Sequence, residues 1–212
     1  MSLVFARFDL QSWLPRTQTL LPLAFIVVIG IVLPVPGMAI AASAIVTMLL
    51  VPTPFLGDER GRLDTLYGTL PVSRTSIVVG RTLAIVALNA IAVIVANAST
   101  LLVALARGGS PDPQILLLVN AGAFALVGLA VALQLPVFFR IGYSRGRLMA
   151  YAPALVIAGL AWIGQETGLI TSNVAPPAPI PVLAAIGFAI GLIGIIAGAV
   201  VAARLYRDRE LR

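Results

Sequence analysis

The stretch GDERGRLDTLYGTLPVSR, residues 57–74, is the one long polar segment in a chain that is otherwise strongly apolar. Its apolar residues are spaced i, i+3, i+4 and i+7, which places them on one face of a helix; they are Leu63, Leu66, Tyr67 and Leu70. Asp58 is a candidate N-cap, and Pro71 ends the helix. Such a short helix is not stable alone in water, and the charges on its first turns keep it out of lipid. We expect it to lie on the membrane surface with its stripe against another structure; a solvated loop is the alternative.

The composition indicates an integral membrane protein. Of the 212 residues, 60% are hydrophobic and only 10% are charged, whereas soluble domains carry about a quarter charged residues. The apolar runs are long enough for helical spans and lack the alternation of barrel strands. We therefore expect an all-α polytopic membrane protein.

Three missing residue types exclude several kinds of chemistry. The sequence contains no Cys, no His and no Lys. Without Cys and His, the usual zinc, haem and iron–sulfur ligand sets cannot form, and the commonest general base is absent. Without Lys, no phosphate-binding loop of the form GxxxxGK[ST] exists. We therefore expect no catalytic residues, no cofactor and no metal in this chain, and no ATP hydrolysis by the chain itself.

Prolines, glycines and charged residues divide the apolar sequence into six predicted transmembrane helices. Their bounds are about 18–35, 38–56, 82–105, 115–139, 149–169 and 180–203. Residues 1–17 form an N-terminal interfacial segment, 18–203 the transmembrane domain and 204–212 a cytoplasmic tail. A cleaved signal peptide is disfavoured because the apolar sequence continues past the candidate site into a second span.

The positions of the arginines predict the orientation. All 14 cationic residues are Arg, and all except Arg107 lie in segments on the same side as the N-terminus. Cytoplasmic loops carry the excess of positive charge, so both termini and residues 57–74 are expected in the cytoplasm. The net charge of +6 is thereby explained by topology, and nucleic acid is not expected as a partner.

Polar residues within the predicted spans have two interpretations. The set is Asn89, Asn97, Thr100, Asn120 and Gln134. They are candidates for lining a substrate path, but hydrogen bonds between helices are the favoured reading. No charged residue falls in the middle of a predicted span, which argues against ion-coupled transport.

The sixth predicted span carries a stripe of small residues at helical spacing. Its members are Ala184, Gly187, Gly191, Gly194, Gly198 and Ala202. Such a stripe predicts close packing against another helix, in this chain or in another.

The segment DERGRLDTLYGTLPVSRTSIVVGR, together with ARFDLQSWLPR before the first span and RLYRDREL after the sixth, resembles type-two ABC transporter permeases. These are the six-helix membrane subunits of ABC exporters, and their loop between the second and third spans carries an acidic start, a short helix and LPVSR. The resemblance implies that residues 57–74 are a coupling helix that docks into an ATPase subunit. The implied coupling residues are Asp58, Glu59, Arg62, Leu63, Leu66, Tyr67, Leu70, Pro71 and Arg74.

The resemblance also implies the partners. A separate subunit would bind ATP and Mg, and a second permease subunit, identical or similar, would complete the transporter in the plasma (inner) membrane. We expect export of a hydrophobic or amphipathic cargo such as a peptide, drug or lipid-like molecule. The alternatives are a self-contained secondary transporter or channel, a membrane-embedded enzyme and a non-catalytic scaffold.

Overall fold

The computed structural model describes residues 6–7, 9–11, 17–33, 35, 37–61, 73–167 and 178–207. Within these ranges the chain is helical and contains no strand. The helices are α1 Thr17–Val32, α2 Met38–Leu50, α3 Thr53–Gly61, α4 Arg74–Ala106, α5 Pro113–Gly146, α6 Ala152–Glu166 and α7 Ile180–Arg207, with a 3₁₀ turn at Arg147–Ala150. The predicted helix carrying the stripe from Leu63 to Leu70 lies outside the described residues.

Four helical stretches in the described part are long and apolar enough to cross a membrane. They are Met38–Gly61, which joins α2 and α3, Arg74–Ala106, Pro113–Val156 and Ile180–Arg207. Helices α1 and α6 have 16 and 15 residues, fewer than the about 20 that a span needs. The all-α membrane fold is thus confirmed, and four of the six predicted spans meet the length criterion.

Contacts gather several helix ends at one end of the bundle. Arg81, near the start of α4, contacts both Asp9 and Asp58, so the N-terminal segment and α3 lie beside it. Arg74 donates hydrogen bonds to the carbonyl oxygens of Tyr206 and Arg207 at 3.0 and 2.9 Å, which brings the end of α7 there too. We call this region the arginine-rich end.

The opposite end of α4 is fixed to α1. Arg107 donates a hydrogen bond from Nη2 to the carbonyl oxygen of Ile31 at 3.1 Å. Because Asp9 lies at the arginine-rich end, the chain between Asp9 and Ile31 traverses the bundle. We call this opposite region the Arg107 end.

The small-residue stripe of α7 packs on α5 of the same chain, which confirms the predicted close packing and identifies the partner helix. A Cβ atom built on Gly128 would lie 2.2 Å from the carbonyl oxygen of Gly191. A Cβ on Gly187 would meet the backbone of Ala121, and one on Gly198 would meet Ala132. Only residues without a side chain at these positions allow the two backbones to approach so closely.

These contacts also show that α5 and α7 run parallel. Residue numbers increase in the same direction along both helices, from Ala121 against Gly187 to Ala132 against Gly198. The chain must therefore return along the bundle between Gly146 and Ile180, the stretch that contains α6.

The predicted helix start at Asp58 is wrong. Helix α3 already begins at Thr53, and Asp58 lies in its interior with only 8% of its surface exposed. Pro52 and Pro54 flank the start of α3, where the backbone N–H groups lack helical partners and proline is tolerated. The polar segment therefore begins as the continuation of the second span.

Two helices extend beyond the membrane spans predicted within them. Helix α4 begins at Arg74, where the side chain of Ser73 accepts a hydrogen bond from the N–H of Ser76. Helix α5 extends to Gly146, beyond the predicted limit at 139, and is kinked at Gly142, whose φ is 79°. Glycine adopts this left-handed conformation without the steric cost that other residues incur.

Candidate functional site at the arginine-rich end

Arg81 is the centre of a buried ion-pair cluster. Only 1% of its surface is exposed. Its Nε lies 3.2 Å from Oδ2 of Asp9, and its Nη1 donates a hydrogen bond to Oδ2 of Asp58. A buried charge is stable only when it is paired and hydrogen-bonded. The three side chains therefore fix the N-terminal segment, α3 and α4 against one another.

Burial and the ion pair with Arg81 have opposite effects on the pKa of Asp9. Asp9 is 2% exposed, and the pKa of its carboxyl is raised above the usual range because burial disfavours the charged form, although Arg81 opposes the rise. The charged form of Asp9 thus depends on the guanidinium beside it.

Aromatic side chains surround the guanidinium and extend the contact to α5 and α7. The Cζ atom of Arg81 lies 4.8 Å from the ring centroid of Phe55, a distance at which a cation is attracted to a ring face. The Phe55 ring packs edge-on against Phe139 at 5.0 Å, and Phe139 lies 5.1 Å from Tyr206. This chain of rings connects α3 through α5 to α7.

Glu59 provides a second connection between α3 and α5. Its carboxylate accepts hydrogen bonds from the backbone N–H of Ser144 at 3.0 and 3.1 Å, and it contacts the Ser144 hydroxyl as well. Ser144 follows the kink at Gly142, where backbone N–H groups need new partners. A negative charge at such an interrupted helix start is electrostatically favourable.

A known protein family matches nearly the whole chain. The sequence model of the ABC-2 family transporter proteins matches residues 9–207. The chain belongs to this family. Searches of curated proteins and of solved structures found no match. The chain is therefore a membrane permease component of an ABC transporter, which implies association with an ABC ATPase subunit.

The structure places three of the predicted coupling residues of the permease at the arginine-rich end. Asp58, Glu59 and Arg74 each bind another part of the same chain there. The other six lie outside the described residues, and these are Arg62, Leu63, Leu66, Tyr67, Leu70 and Pro71. Contact of any of them with the ATPase stays a prediction.

Asp9, Phe55 and Ser144 were not predicted as parts of this site, and Arg81 was singled out only as the last residue of the segment that resembles the permease family. The available signal was the position of Arg81, seven residues after Arg74 in an otherwise apolar helix. An arginine so placed needs a counter-ion, and Asp9 and Asp58 are acidic residues on the same predicted side of the membrane.

The polar side chains inside the permease mostly hydrogen-bond to one another or to backbone. Asn97 and Asn120 form a reciprocal amide pair between α4 and α5, at 2.9 and 3.0 Å. The hydroxyl of Thr47 on α2 contacts Oδ1 of Asn89 at 3.3 Å. The Asn97–Asn120 pair is an interhelical hydrogen bond of the kind that the sequence analysis favoured.

The remaining two residues bond to backbone. Gln134 donates from Nε2 to the carbonyl oxygens of Met149 and Ala150, at 3.2 and 3.1 Å, which holds the 3₁₀ turn against α5. Thr100 donates to the carbonyl oxygen of Ala96 on its own helix at 2.8 Å. A role of any of these five polar residues in the passage of cargo stays a prediction.

Proposed function

We propose that the permease is the membrane subunit of an exporter in the plasma (inner) membrane, driven by a separate subunit that binds and hydrolyses ATP with Mg. The ATPase docks at the arginine-rich end, on the segment between α3 and α4. Two permease subunits, identical or similar, enclose the path of a hydrophobic or amphipathic cargo.

The observation that carries this proposal is the way the ends of the docking segment are held. Residues 62–72 connect Gly61, at the end of α3, to Ser73, the N-cap of α4. Helix α3 is bound to α4 through Asp58 and Arg81 and to α5 through Glu59. A movement of the segment would therefore reach several helices at once, as a rigid-body switch requires.

The remaining connection at this end is made by Arg74. This residue opens α4 and holds the final carbonyl groups of α7, where a cation is favoured by the helix dipole. Tilting of α4 by the ATPase would thus be transmitted to α7, and through its glycine contacts to α5.

The traversals of the bundle support six membrane crossings with both termini cytoplasmic. The chain passes from the arginine-rich end at Asp9 to the Arg107 end at Ile31, so α1 accounts for one traversal. The parallel packing of α5 and α7 requires another between Gly146 and Ile180, where α6 lies. Helices α1 and α6 are short, and we propose that they cross together with flanking residues.

The main competing function is a secondary transporter that works without an ATPase. The test is reconstitution of the permease into vesicles, with and without its partner ATPase, and measurement of the transfer of a fluorescent uncharged glycolipid between leaflets. We expect ATP-dependent transfer only when the ATPase is present. Transfer driven by an ion gradient in vesicles that contain the permease alone would overturn the proposal.

A further inference from the structure

A groove between α4, α5 and α7 plays no part in the site described above. It is an open groove with a volume of about 480 Å³, which is within the usual range of about 300–1,000 Å³ for small-molecule sites. Most of its wall is aliphatic or aromatic, and none of the described residues that line it is charged. Two amides, Asn89 and Asn120, are the polar side chains of the wall.

The amide of Asn120 is already satisfied within the protein. Its Nδ2 donates to Oδ1 of Asn97 and to the carbonyl oxygen of Leu116, and its Oδ1 accepts from Nδ2 of Asn97. All of its strong donors and its acceptor are thus occupied. Asn120 therefore forms part of the groove wall but has no free hydrogen-bonding group for a ligand.

The amide of Asn89 is satisfied at one end only. Asn89 is 6% exposed, and its Oδ1 atom lies 3.3 Å from the Thr47 hydroxyl. That hydroxyl carries one hydrogen, which it directs at 2.8 Å to the carbonyl oxygen of Ser43. In either orientation of the Asn89 amide, one end faces Thr47 and the other end borders the groove. Asn89 lies near the middle of α4, at the depth of the hydrocarbon core, where water is not available to hydrogen-bond the second end of the amide.

The wall beside this amide suits an apolar body. Phe124 of α5 and Phe188 of α7 pack with their ring centroids 5.8 Å apart and an interplanar angle of 48°. Phe188 remains 39% exposed, so its ring can contact a ligand. The described residues of the wall offer no counter-ion to a charged group, and the desolvation of such a group would oppose binding.

We propose that this groove binds a neutral amphipathic molecule, with a hydroxyl or amide group on Asn89 and its apolar body along Phe124 and Phe188. A hydroxyl or an amide both donates and accepts, so it complements either orientation of the Asn89 amide. The assignment of this molecule to the exported cargo rests on the function proposed above.

The test uses photolabelling of the full-length permease in vesicles without the ATPase. The probe is a monoacylglycerol with a diazirine in its acyl chain, and the matched probe is the fatty acid with the same chain. We expect the neutral probe to label α4 and α5 around the groove with saturation, and the anionic probe to label there at least about tenfold less at equal concentration. Equal labelling by the two probes would overturn the proposal.

Two variants test whether binding needs the Asn89 amide and the open volume of the groove. Asn89→Leu removes the hydrogen bond to the ligand, and we expect the half-saturating concentration to rise about fivefold to tenfold. Ala90→Trp fills the groove and leaves Asn89 in place; we expect it to abolish saturable labelling. Thr82→Val is the control, because Thr82 lies on the same helix and does not line this groove, and it should label as wild type. Wild-type labelling of both Asn89→Leu and Ala90→Trp would overturn the site.

A second copy of the permease is the competing occupant of the groove. The natural chain has no cysteine, so Ala90→Cys introduces a single thiol in the groove wall. We expect little disulfide-linked dimer after oxidation in vesicles. Rapid and complete cross-linking through Ala90→Cys would show that a second permease covers the groove, and it would overturn the ligand site.

A final arm distinguishes cargo from a resident lipid. With the ATPase co-reconstituted, ATP should lower labelling of the groove at least about twofold relative to ADP, because the cargo is moved out. Labelling that ATP leaves unchanged would overturn the assignment to cargo. If photolabelling fails while the ATPase still drives transfer of the uncharged glycolipid, only this inference fails and the proposed function stands.

Discussion

Asp58 of α3 and Arg81 of α4 form a buried ion pair although they are 23 residues apart in the sequence. The residues between them include the whole segment to which we assign ATPase docking. The pair thus closes a loop at its base, and Asp9 adds a second carboxylate on the same guanidinium. A pair of this kind holds its partners in one geometry because either charge alone would be costly to bury.

The first prediction concerns the stability of the ion-pair cluster. Arg81→Met leaves two carboxylates without a counter-ion, and we expect it to destabilise the permease by about 3–5 kcal/mol. The triple variant Asp9→Asn, Asp58→Asn, Arg81→Met removes all three charges and should recover most of the loss, because a neutral replacement is often tolerated. Thermal unfolding in detergent is the measurement.

The control for this series is Arg60→Met, which removes an exposed charge from α3. We expect its effect to stay within about 0.5 kcal/mol. If Arg81→Met unfolds at the wild-type temperature, the cluster does not stabilise the fold.

The second prediction concerns the contact between α5 and α7. A Cβ on Gly128 would meet the backbone of Gly191 at 2.2 Å, so Gly128→Ala should force the helices apart and cost about 1–3 kcal/mol. Gly122, on the same helix, has no atom within 4 Å of its would-be Cβ. Gly122→Ala should therefore be neutral or slightly stabilising. Equal unfolding temperatures for the two variants would contradict the packing described here.

The sequence predicted the helices and their close packing because both depend on local patterns. Apolar runs of the length of a span indicate helices, and the spacing from Gly187 to Gly198 indicates a face without side chains. The arginine distribution predicted the orientation in the membrane, which stays a prediction; Arg74 and Arg81 do lie at one end of the bundle and Arg107 at the other.

The ion-pair cluster could not be predicted because it depends on residues far apart in the sequence. From the sequence alone, Arg81 is interpreted as the membrane boundary of a span. Its partners Asp9 and Asp58 lie 72 and 23 residues away, and no local pattern connects them to it. Aspartate is a common N-cap residue, so Asp58 was a reasonable candidate for the helix start. Proline is tolerated in the first turn of a helix, however, and the helix already begins at Thr53, between Pro52 and Pro54. The Gly142 kink that Glu59 supports also lacks a local signal, since a glycine within an apolar helix has several uses.

The third prediction concerns topology. Single cysteines can be introduced at Gly109, Leu148 and Asn173, because the chain has none of its own. In intact cells, a membrane-impermeant thiol reagent should label Gly109→Cys and Asn173→Cys. Leu148→Cys, which is 79% exposed, should react only after permeabilisation. If Asn173→Cys also requires permeabilisation, α6 does not cross the membrane and the six-span topology is wrong.

The fourth prediction concerns docking of the ATPase. Burial of one large apolar side chain contributes about 1.5–3 kcal/mol, so Leu66→Asp with Tyr67→Asp should detach the ATPase while the permease still inserts. Leu102→Ala, on the exposed surface near the Arg107 end, is the control and should bind as wild type. Co-purification is the measurement. Full recovery of the ATPase with the double Asp variant would show that the stripe of residues 63–70 is not the docking face.

The most direct test of the account measures whether the ion-pair cluster transmits ATPase movement across the bundle. Val103, on α4, lines a cavity of about 210 Å³ at the Arg107 end, so the thiol of Val103→Cys reports movement there. With the ATPase bound, we expect ATP to change its labelling rate severalfold relative to ADP. The triple neutral variant that lacks the charges of Asp9, Asp58 and Arg81 should bind the ATPase but lose this response. A response of wild-type size in the triple variant would contradict the account.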